Sequence, residues 1–507
     1  MLLIAVIKKL TNQEKNDSIL TLTNESKNRE RGRYNLKKIV ITLVFLSTLS
    51  CVKVPVMERN PVINIPESEN TQNNERDINL KFNSNKWWES FNDTNLNGIM
   101  DLVLENNKSL IISKLNIEKA SESINLAKSG QGLSVGLGAN YSGIMTDSDG
   151  QRQITDEKFS RLGQIGLQSS YEVDLFGKTA NLIKQQEFQT QGATLMSDYT
   201  QLTLGYQTAK LYAYWLFLAK EENNLSSRRK ILYEIEKMEK DKINIGKGTK
   251  DTLLVIQELG NNTDILIQKN NENQLIVKNS LFNLAGTTKS QKIDSLLENS
   301  KGKDFYSLSD NIAIPQGIDS DIVAQRPDVA YYLSLINAQD AKLKSLKANF
   351  YPSFSITGSA QLSQVNILGL LTGGSFLGIL KPSITLPILD SGKITSSYKI
   401  AGVDLNIFIE QYNQSILNAY KDINEKLIKY NSETKINKES KDILAIKSEV
   451  LGRSKKRYEI GKTSKRAYIE DNYTYLVSLL SSEQEKFALL NYKIDLINSF
   501  GGLYTKN

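Results

Sequence analysis

The residue types that most often carry out chemistry in proteins are scarce in this sequence. None of its 507 residues is histidine, and Cys51 is the single cysteine. Without imidazole there is no Ser-His-Asp triad, no Cys-His pair and no His-rich metal site, and one cysteine cannot form an intrachain disulfide or a thiolate zinc cluster. A carboxylate-pair hydrolase such as a glycosidase would remain, but no two carboxylates fall in a convincing cleft. The sequence predicts no catalytic residue, no metal site and no enzyme.

Cys51 is nevertheless placed for a covalent modification. Residues 29–38 carry five basic side chains and are followed by twelve mostly apolar residues, 39–50, which are too few to span a bilayer but are typical of a signal sequence. Cys51 follows directly, as the acylated cysteine does in bacterial lipoproteins, so we expect a diacylglycerol thioether and an N-acyl palmitate there, and no other cofactor. Thr48 stands where a lipobox usually has leucine. A buried thiol is the alternative.

The net charge of +7 is concentrated in this leader. Residues 1–50 hold nine Lys and Arg against four Asp and Glu, which leaves 54 against 52 from Cys51 onward. A near-neutral mature chain does not favour binding to a phosphate backbone. We therefore expect no nucleic-acid partner.

Two short motifs recur at nearly the same spacing. The motif at residues 174–178 recurs at 389–393, where Asp390 matches Asp174 at an offset of 216, and residues 243–247 recur as 458–462 with an offset of 215. Two landmarks that share one period indicate a duplicated unit of about 215 residues, far longer than a solenoid repeat. Chance similarity of short Gly-Lys strings is the alternative.

Each predicted unit leaves room for very long helices. The eight prolines leave residues 67–314 and 388–507 free of the main helix breaker. A continuous helix over residues 179–245 would be about 100 Å long at ~1.5 Å per residue. Gly246 and Gly461 are suited to end such helices because glycine takes the left-handed conformation without strain.

Each unit also contains two segments in which apolar and polar residues alternate. They fall near residues 133–141 and 165–173 in the first unit, and near 354–362 and, after Pro382, 384–388 in the second. The pattern fits tilted membrane strands, although a soluble hairpin with one buried face would show it too. Four strands cannot close a barrel in lipid, so several chains would have to pool them, and three chains would supply twelve.

Five short motifs resemble those of TolC-like outer-membrane efflux proteins, and specifically of their NodT-type lipoprotein subclass. They span nearly the whole mature chain in the expected order: WWESF at 87–91, YEVDLFGK at 171–178, QRPD at 325–328, FYPS at 350–353 and FGG at 500–502.

The resemblance implies an α+β membrane protein that forms a homotrimer. Its twelve-stranded outer-membrane β-barrel, with four strands per chain, would continue into a long periplasmic α-helical barrel with a mixed α/β equatorial collar. The implied function is passive export of small molecules such as drugs or metal ions, as the exit duct of a tripartite system with a periplasmic adaptor and an inner-membrane transporter, more often a proton-driven one. The alternative is a surface-anchored coiled-coil lipoprotein that acts as a spacer or adhesin.

The chain is expected to divide into six segments: a leader at 1–50, a lipoprotein linker at 51–85, a first efflux repeat at 86–290, an equatorial linker at 291–318, a second efflux repeat at 319–502 and a tail at 503–507.

The resemblance also implies where the periplasmic gate lies. Tyr458 and Gly461 match the family's Tyr-x-x-Gly motif at the helix tip, which carboxylates follow that ring the closed pore. Glu470 falls where one of these carboxylates is expected, Asp471 is adjacent, and Ala467 replaces another. A solvated surface pair is the alternative. The adaptor is expected to contact the tips at four positions: Gly246, Thr249, Gly461 and Ser464.

Overall fold

The computed structural model describes residues 54–62, 80–83, 86–145, 159–304, 320–364 and 375–506. The leader and Cys51 lie outside the described residues, as do residues 146–158 and 365–374. Within these ranges the elements follow one another as β1 (Leu80–Asn83), a 3-10 helix (Trp87–Phe91), α1 (Thr94–Asn106), α2 (Lys108–Ser129), β2 (Ser134–Met145), β3 (Phe159–Val173), α3 (Lys178–Asn244), α4 (Lys250–Leu284), α5 (Gln291–Ser300), α6 (Ser320–Gln325), α7 (Pro327–Ala348), β4 (Ser353–Gln364), β5 (Ser375–Thr385), α8 (Lys393–Glu459), α9 (Lys465–Ser499) and β6 (Leu503–Lys506).

The second half of the chain repeats the first, element by element. Helices α3 and α8 have 67 residues each, and α4 and α9 have 35 each. Helices α2 and α7 both have 22 residues, and strands β2 and β4 both have 12. The four long helices keep an offset of 215 residues, which confirms the predicted duplication.

The recurring Gly-Lys motif starts each long helix. The residue before α3 and the residue before α8 are glycines in the left-handed conformation, with φ of 74° and 83°. A nearby carboxylate accepts a hydrogen bond from a first-turn amide: Asp174 from Ala180 at 2.7 Å and Asp390 from Ile394 at 2.6 Å. These amides have no partner inside the helix, and an anion at a helix N-terminus is stabilised by the helix dipole.

Strands β2, β3, β4 and β5 form one antiparallel sheet in chain order. The expected position of the fourth strand, residues 384–388, is wrong: β5 runs over Ser375–Thr385 and contains Pro382. The strand therefore continues through Pro382, which is in register with Ile356 of β4. Strand β1 pairs with β6 in a separate two-stranded sheet.

The register of the four-stranded sheet gives it one polar and one apolar face. Residues that pair directly share a face, and the apolar face carries exposed side chains at Val135, Leu137, Tyr141, Ile165, Leu167, Tyr171, Ile356, Phe376, Leu380 and Ile384. The opposite face is mostly polar, with Ser134, Asn140, Gln164, Gln168, Ser170, Thr357, Ser359, Gln361, Lys381 and Ser383, and its apolar exceptions on β5 are the exposed Leu377 and Ile379. Among the described helices, none has an apolar stretch long enough to cross a membrane.

Among the described residues, the largest hydrophobic core lies midway along the hairpin that α3 and α4 form. Trp87 and Trp88 of the 3-10 helix pack with Tyr212 and Trp215 of α3, together with residues of α1, α4, α5 and α9. The indole nitrogen of Trp215 donates to the carbonyl of Leu297 on α5 at 2.9 Å, so the buried donor has a partner.

The segment 54–62 lies along α8 in extended form. Asn406 and Asn413 of α8 donate side-chain amide hydrogens to the carbonyls of Glu58 and Pro61, at 3.0 and 3.1 Å. Met57 packs against the cluster around Tyr398. The sequence did not predict this contact, because the two segments lie about 350 residues apart.

Candidate functional site at the helix tips

Helices α3 and α4 form the first long hairpin, and helices α8 and α9 form the second. Both hairpins end in the same type of turn. The amide of Lys247 donates to the carbonyl of Lys242 at 2.8 Å, and the amide of Lys462 donates to the carbonyl of Arg457 at 2.7 Å. Such a six-to-one bond, together with a left-handed glycine, is the Schellman motif that closes helices. The glycines are Gly246 and Gly461, with φ of 72° and 67°.

The next helix of each hairpin begins with a hydroxyl cap. Thr249 accepts from the amide of Thr252 at 3.4 Å, and Ser464 accepts from the amide of Ala467 at 3.2 Å. The four positions expected to contact an adaptor are thus the glycine and the cap of each tip. All four residues, Gly246, Thr249, Gly461 and Ser464, are exposed to solvent.

Two ion pairs join the second hairpin to the first beside these turns. Arg466, in the first turn of α9, contacts Glu239 of α3, and Lys465 contacts Glu234 of α3. Arg466 also donates through Nε to Glu470 at 2.8 Å. Because Arg466 reaches both helices, it ties the start of α9 to the end of α3.

Glu239 is the least exposed member of this network, with its side chain 3% accessible. The hydrogen bond from Lys242, at 2.7 Å, lowers the pKa of Glu239, burial opposes that shift, and the charge of Arg466 adds to it. The pKa of Arg466 is raised, chiefly by its hydrogen bond to Glu470. A buried carboxylate that loses its cation partner is destabilised, so Glu239 depends on Arg466 and Lys242 together.

Aromatic and aliphatic contacts reinforce the ion pairs. The rings of Tyr458 and Tyr468 stack across the second turn, with centroids 5.6 Å apart. Arg228 of α3 donates to the hydroxyl of Tyr473 at 3.0 Å and lies over its ring. A cluster of Ile231, Ile235, Ile256 and Ile469 fills the space between α3, α4 and α9.

The carboxylates predicted for a gate occupy different surroundings. Glu470 is half exposed and is held by Arg466, four residues earlier on the same helix. Asp471 is half-buried on the neighbouring position. Cys51, the expected lipidation site, lies outside the described residues. The roles of these residues in a gate and in lipid attachment stay predictions.

Sequence reasoning missed the residues that join the hairpins. The Arg466–Glu470 pair could have been found from its spacing of four on a predicted helix. Glu239 precedes Arg466 by 227 residues, and no local pattern connects them. The duplication alone does not help either, because the position equivalent to Arg466 in the first repeat is Asp251.

The model of the family described as outer membrane efflux protein matches residues 99–287 and 320–470 of the chain, one segment in each repeat. The chain belongs to this family.

Individual efflux proteins resemble the chain over most of its length. The toluene efflux pump outer membrane protein TtgC of Pseudomonas putida is 23% identical over 439 residues, which cover 82% of this chain and 84% of TtgC. SilC of Salmonella typhimurium, a probable outer membrane lipoprotein, is 24% identical over 480 residues, which cover 92% of this chain and 96% of SilC.

Solved channels share the fold. The outer membrane channel CmeC of Campylobacter jejuni superposes with a TM-score of 0.73 at 22% identity, over 88% of this chain and 95% of CmeC. The outer-membrane channel OprN gives a TM-score of 0.74 at 17% identity, over 88% of this chain and 99% of OprN.

This membership confirms the predicted family, fold class and efflux function. The protein is an outer membrane efflux channel component. The members of this family are channels and not enzymes, and they do not depend on a cofactor. The two long hairpins and the two-faced sheet are elements of that fold in this chain.

Proposed function

We propose that three copies of this chain form the exit duct of a tripartite efflux system. The observation that carries the proposal is the four-stranded sheet. Within the described chain, its two outer strands, β2 and β5, are each hydrogen-bonded to a neighbouring strand along one edge only. Lipid does not tolerate unpaired backbone edges, so β2 of one copy would pair with β5 of the next. Three copies close twelve strands, with the apolar face toward lipid and the polar face toward the lumen.

Exposed apolar residues on the long helices support the same assembly. Helix α4 exposes Leu254, Val255, Ile265, Leu275 and Ile276, and helix α8 exposes Ile407, Leu417, Ile428, Ile436, Ile443 and Ile446. Two helices with apolar stripes pack side by side. The helices of three copies would thus form a tube that continues the strand-lined pore.

The gate would lie at the tips, where α9 meets α3. Closing depends on the contacts of Arg466 and Lys465 with Glu239 and Glu234, and opening separates α9 from α3. Glu470 and Asp471 would face the narrow end of the tube. Repeated by symmetry, such carboxylates form a ring that controls which solutes pass.

Outside partners would meet the chain at the same tips. A periplasmic adaptor contacts the turns at Gly246, Thr249, Gly461 and Ser464 and joins the duct to an inner-membrane transporter, which we propose to be proton-driven. The exported cargo is small molecules such as drugs or metal ions. The names of two relatives, an antibiotic and a toluene efflux pump protein, agree with this class of cargo.

The lipid anchor would sit at Cys51, three residues before the segment 54–62. That segment runs along α8, and its first residues pack near the start of the helix, where the chain leaves the sheet. Cys51 would therefore lie at the membrane end of the molecule. The six-segment division given above, with repeats at 86–290 and 319–502, is part of the proposal.

Two neighbouring residues on β3 allow a matched test of the assembly. Leu167→Lys places a charge on the apolar face, and Gln168→Lys places the same charge on the polar face. A lysine facing lipid at mid-membrane costs about 2–4 kcal/mol, whereas the lumen tolerates it.

The measurements are the yield of heat-resistant trimers in detergent and the ion conductance in planar bilayers. We expect the wild type and Gln168→Lys to give conducting trimers and Leu167→Lys to give few. A monomeric wild type without conductance would contradict the proposal, and so would equal tolerance of both lysines.

A further inference from the structure

The two helix tips have the same backbone but different charge. The offset of 215 residues relates Gly246 to Gly461, and each glycine follows an exposed isoleucine, Ile245 or Ile460, with 67% and 65% of its surface accessible. Both tips close with the same pair of backbone hydrogen bonds. Any difference in what they bind must therefore come from the side chains around this shared frame.

Basic residues are concentrated on the second tip. Residues 453–466 contain seven Lys and Arg against one carboxylate, Glu459, whereas the equivalent residues 238–251 contain four Lys against three carboxylates. The near-neutral total charge of the mature chain hides this local cluster. Six tips in a trimer would alternate between strongly basic and nearly neutral.

Part of the basic cluster is used within the chain. Lys465 and Arg466 are paired with carboxylates of α3, and Arg453 is paired with Glu449 one helical turn away. Four further cations lie within five residues of Ile460 in the sequence and are exposed: Lys455, Lys456, Arg457 and Lys462. No described carboxylate lies within ion-pair distance of these four. Their mutual repulsion costs free energy in the isolated chain and is relieved by an anionic partner.

We propose that the second tip docks an acidic protein surface, which places carboxylates against Lys455, Lys456, Arg457 and Lys462 and an apolar side chain against Ile460. The inference rests on the proposed function and assigns the occupant as the periplasmic adaptor. An apolar centre within a charged rim is the composition of a protein interface, whereas an anionic lipid surface needs cations alone. The first tip contacts a nearly neutral part of the surface of the same adaptor.

Equivalent lysines on the two tips provide a matched test. Lys462 corresponds to Lys247, and both are exposed. Lys240, the counterpart of Lys455, is not a matched control because it is paired with Glu236. The experiment compares Lys462→Glu with Lys247→Glu in full-length trimers. The probe is the purified adaptor from the same cells, identified by cross-linking to the wild-type channel, and its dissociation constant is measured at low and high NaCl.

We expect the second-tip variant to bind the adaptor about tenfold or more weakly at low salt, with a smaller loss at high salt, because screening removes the electrostatic part. The first-tip variant should bind nearly as the wild type does. Equal losses for both variants, or none for the second-tip variant, would overturn the inference while leaving the duct intact.

Two further readouts separate the remaining outcomes. Binding to phosphatidylglycerol vesicles that is lost in the second-tip variant, with adaptor binding unchanged, would assign the surface to lipid and overturn the proposal. A wild-type channel that forms no adaptor complex at all would overturn the proposed function, and the inference with it. Heat-resistant trimers in both variants are the folding control.

Discussion

The two repeats share a backbone and differ in what fills the space between their helices. In the first repeat, Trp215 and Leu218 of α3 are buried in the largest core of the described chain. The equivalent residues of α8 are Tyr430, which is only partly buried, and Glu433. Equal helix lengths therefore do not require equal cores.

The polar substitutions in the second repeat come as a pair. Asn270 of α4 donates to the carbonyl of Leu218 at 3.0 Å, and its equivalent in α9 is Glu485. Glu433, 7% exposed, faces Glu485 across the seam between α8 and α9. Burial, together with Glu485, raises the pKa of Glu433 to about 7. One repeat thus closes its hairpin with an apolar residue and an amide, and the other with two carboxyl groups.

The largest effect should come from truncating the aromatic residues at equivalent positions. Trp215→Ala removes a buried indole and its hydrogen bond to Leu297, so it should lower the free energy of unfolding by about 3–5 kcal/mol. Tyr430→Ala should cost about 1–2 kcal/mol, because its ring is only partly buried. Denaturation of the detergent-solubilised protein, followed by circular dichroism, measures both. Equal losses would show that the repeats are packed alike after all.

The carboxyl pair should make stability depend on pH. The folded protein holds the proton of Glu433 more tightly than the unfolded chain does. The stabilisation of the folded state that comes from this bound proton is complete below about pH 4.5 and is lost as pH rises through about 7. The slope near neutral pH should reach about 1.4 kcal/mol per pH unit at most.

Replacing this group by its neutral analogue tests the assignment. In Glu433→Gln, melting temperatures measured between pH 5 and pH 8 should vary less than in the wild type. The exposed Glu470→Gln serves as the control and should retain the wild-type slope. An unchanged slope in Glu433→Gln would mean that Glu433 is not the source of the pH dependence.

The links between the repeats at the tips should affect conduction more than stability. Arg466→Ala leaves the buried Glu239 with Lys242 alone, so α9 should separate from α3 more easily, and single-channel conductance or antibiotic sensitivity should rise several-fold. Glu470→Ala should raise both by less, since Glu470 is half exposed and contacts only the helix that carries it.

Asp251→Ala changes the residue equivalent to Arg466 and is the matched control, for which we expect no change. Wild-type values in both Arg466→Ala and Glu470→Ala would remove the gate from this position.

The smallest effect is expected at the lipid anchor. The segment that follows Cys51 contacts α7 and α8 of the second repeat through its own side chains and backbone. Cys51→Ser should therefore abolish incorporation of radiolabelled palmitate while leaving trimers and their melting temperature unchanged. Persistent labelling would show that the modified residue is a different one.

Much of the fold could be predicted because its signals are local. The Gly-Lys motifs mark the starts and turns of the long helices, and the predicted helix over 179–245 differs from α3 by one residue at each end. Alternation located three of the four strands. The fourth was misplaced because Pro382 was taken as a boundary, whereas β5 continues through it.

The site was less predictable because its contacts join distant parts of the chain. The turn glycines and the caps could be read from the sequence, and so could the carboxylate at Glu470. Its partner Arg466 is local, but Glu239 is brought to Arg466 only when the two hairpins pack together. The polar seam at Glu433 and Glu485 was missed for the same reason.

The matching helix lengths restrict how this chain can change. Helices α3 and α8 start at equivalent glycines beside one sheet and extend 67 residues each, so their far ends reach the same height, about 100 Å from the sheet. Deleting one residue from either helix would shorten it by about 1.5 Å and rotate everything beyond the deletion by about 100°. Insertions and deletions in these rods would have to arise in both halves together, or in whole turns, to keep the rim of the assembly level.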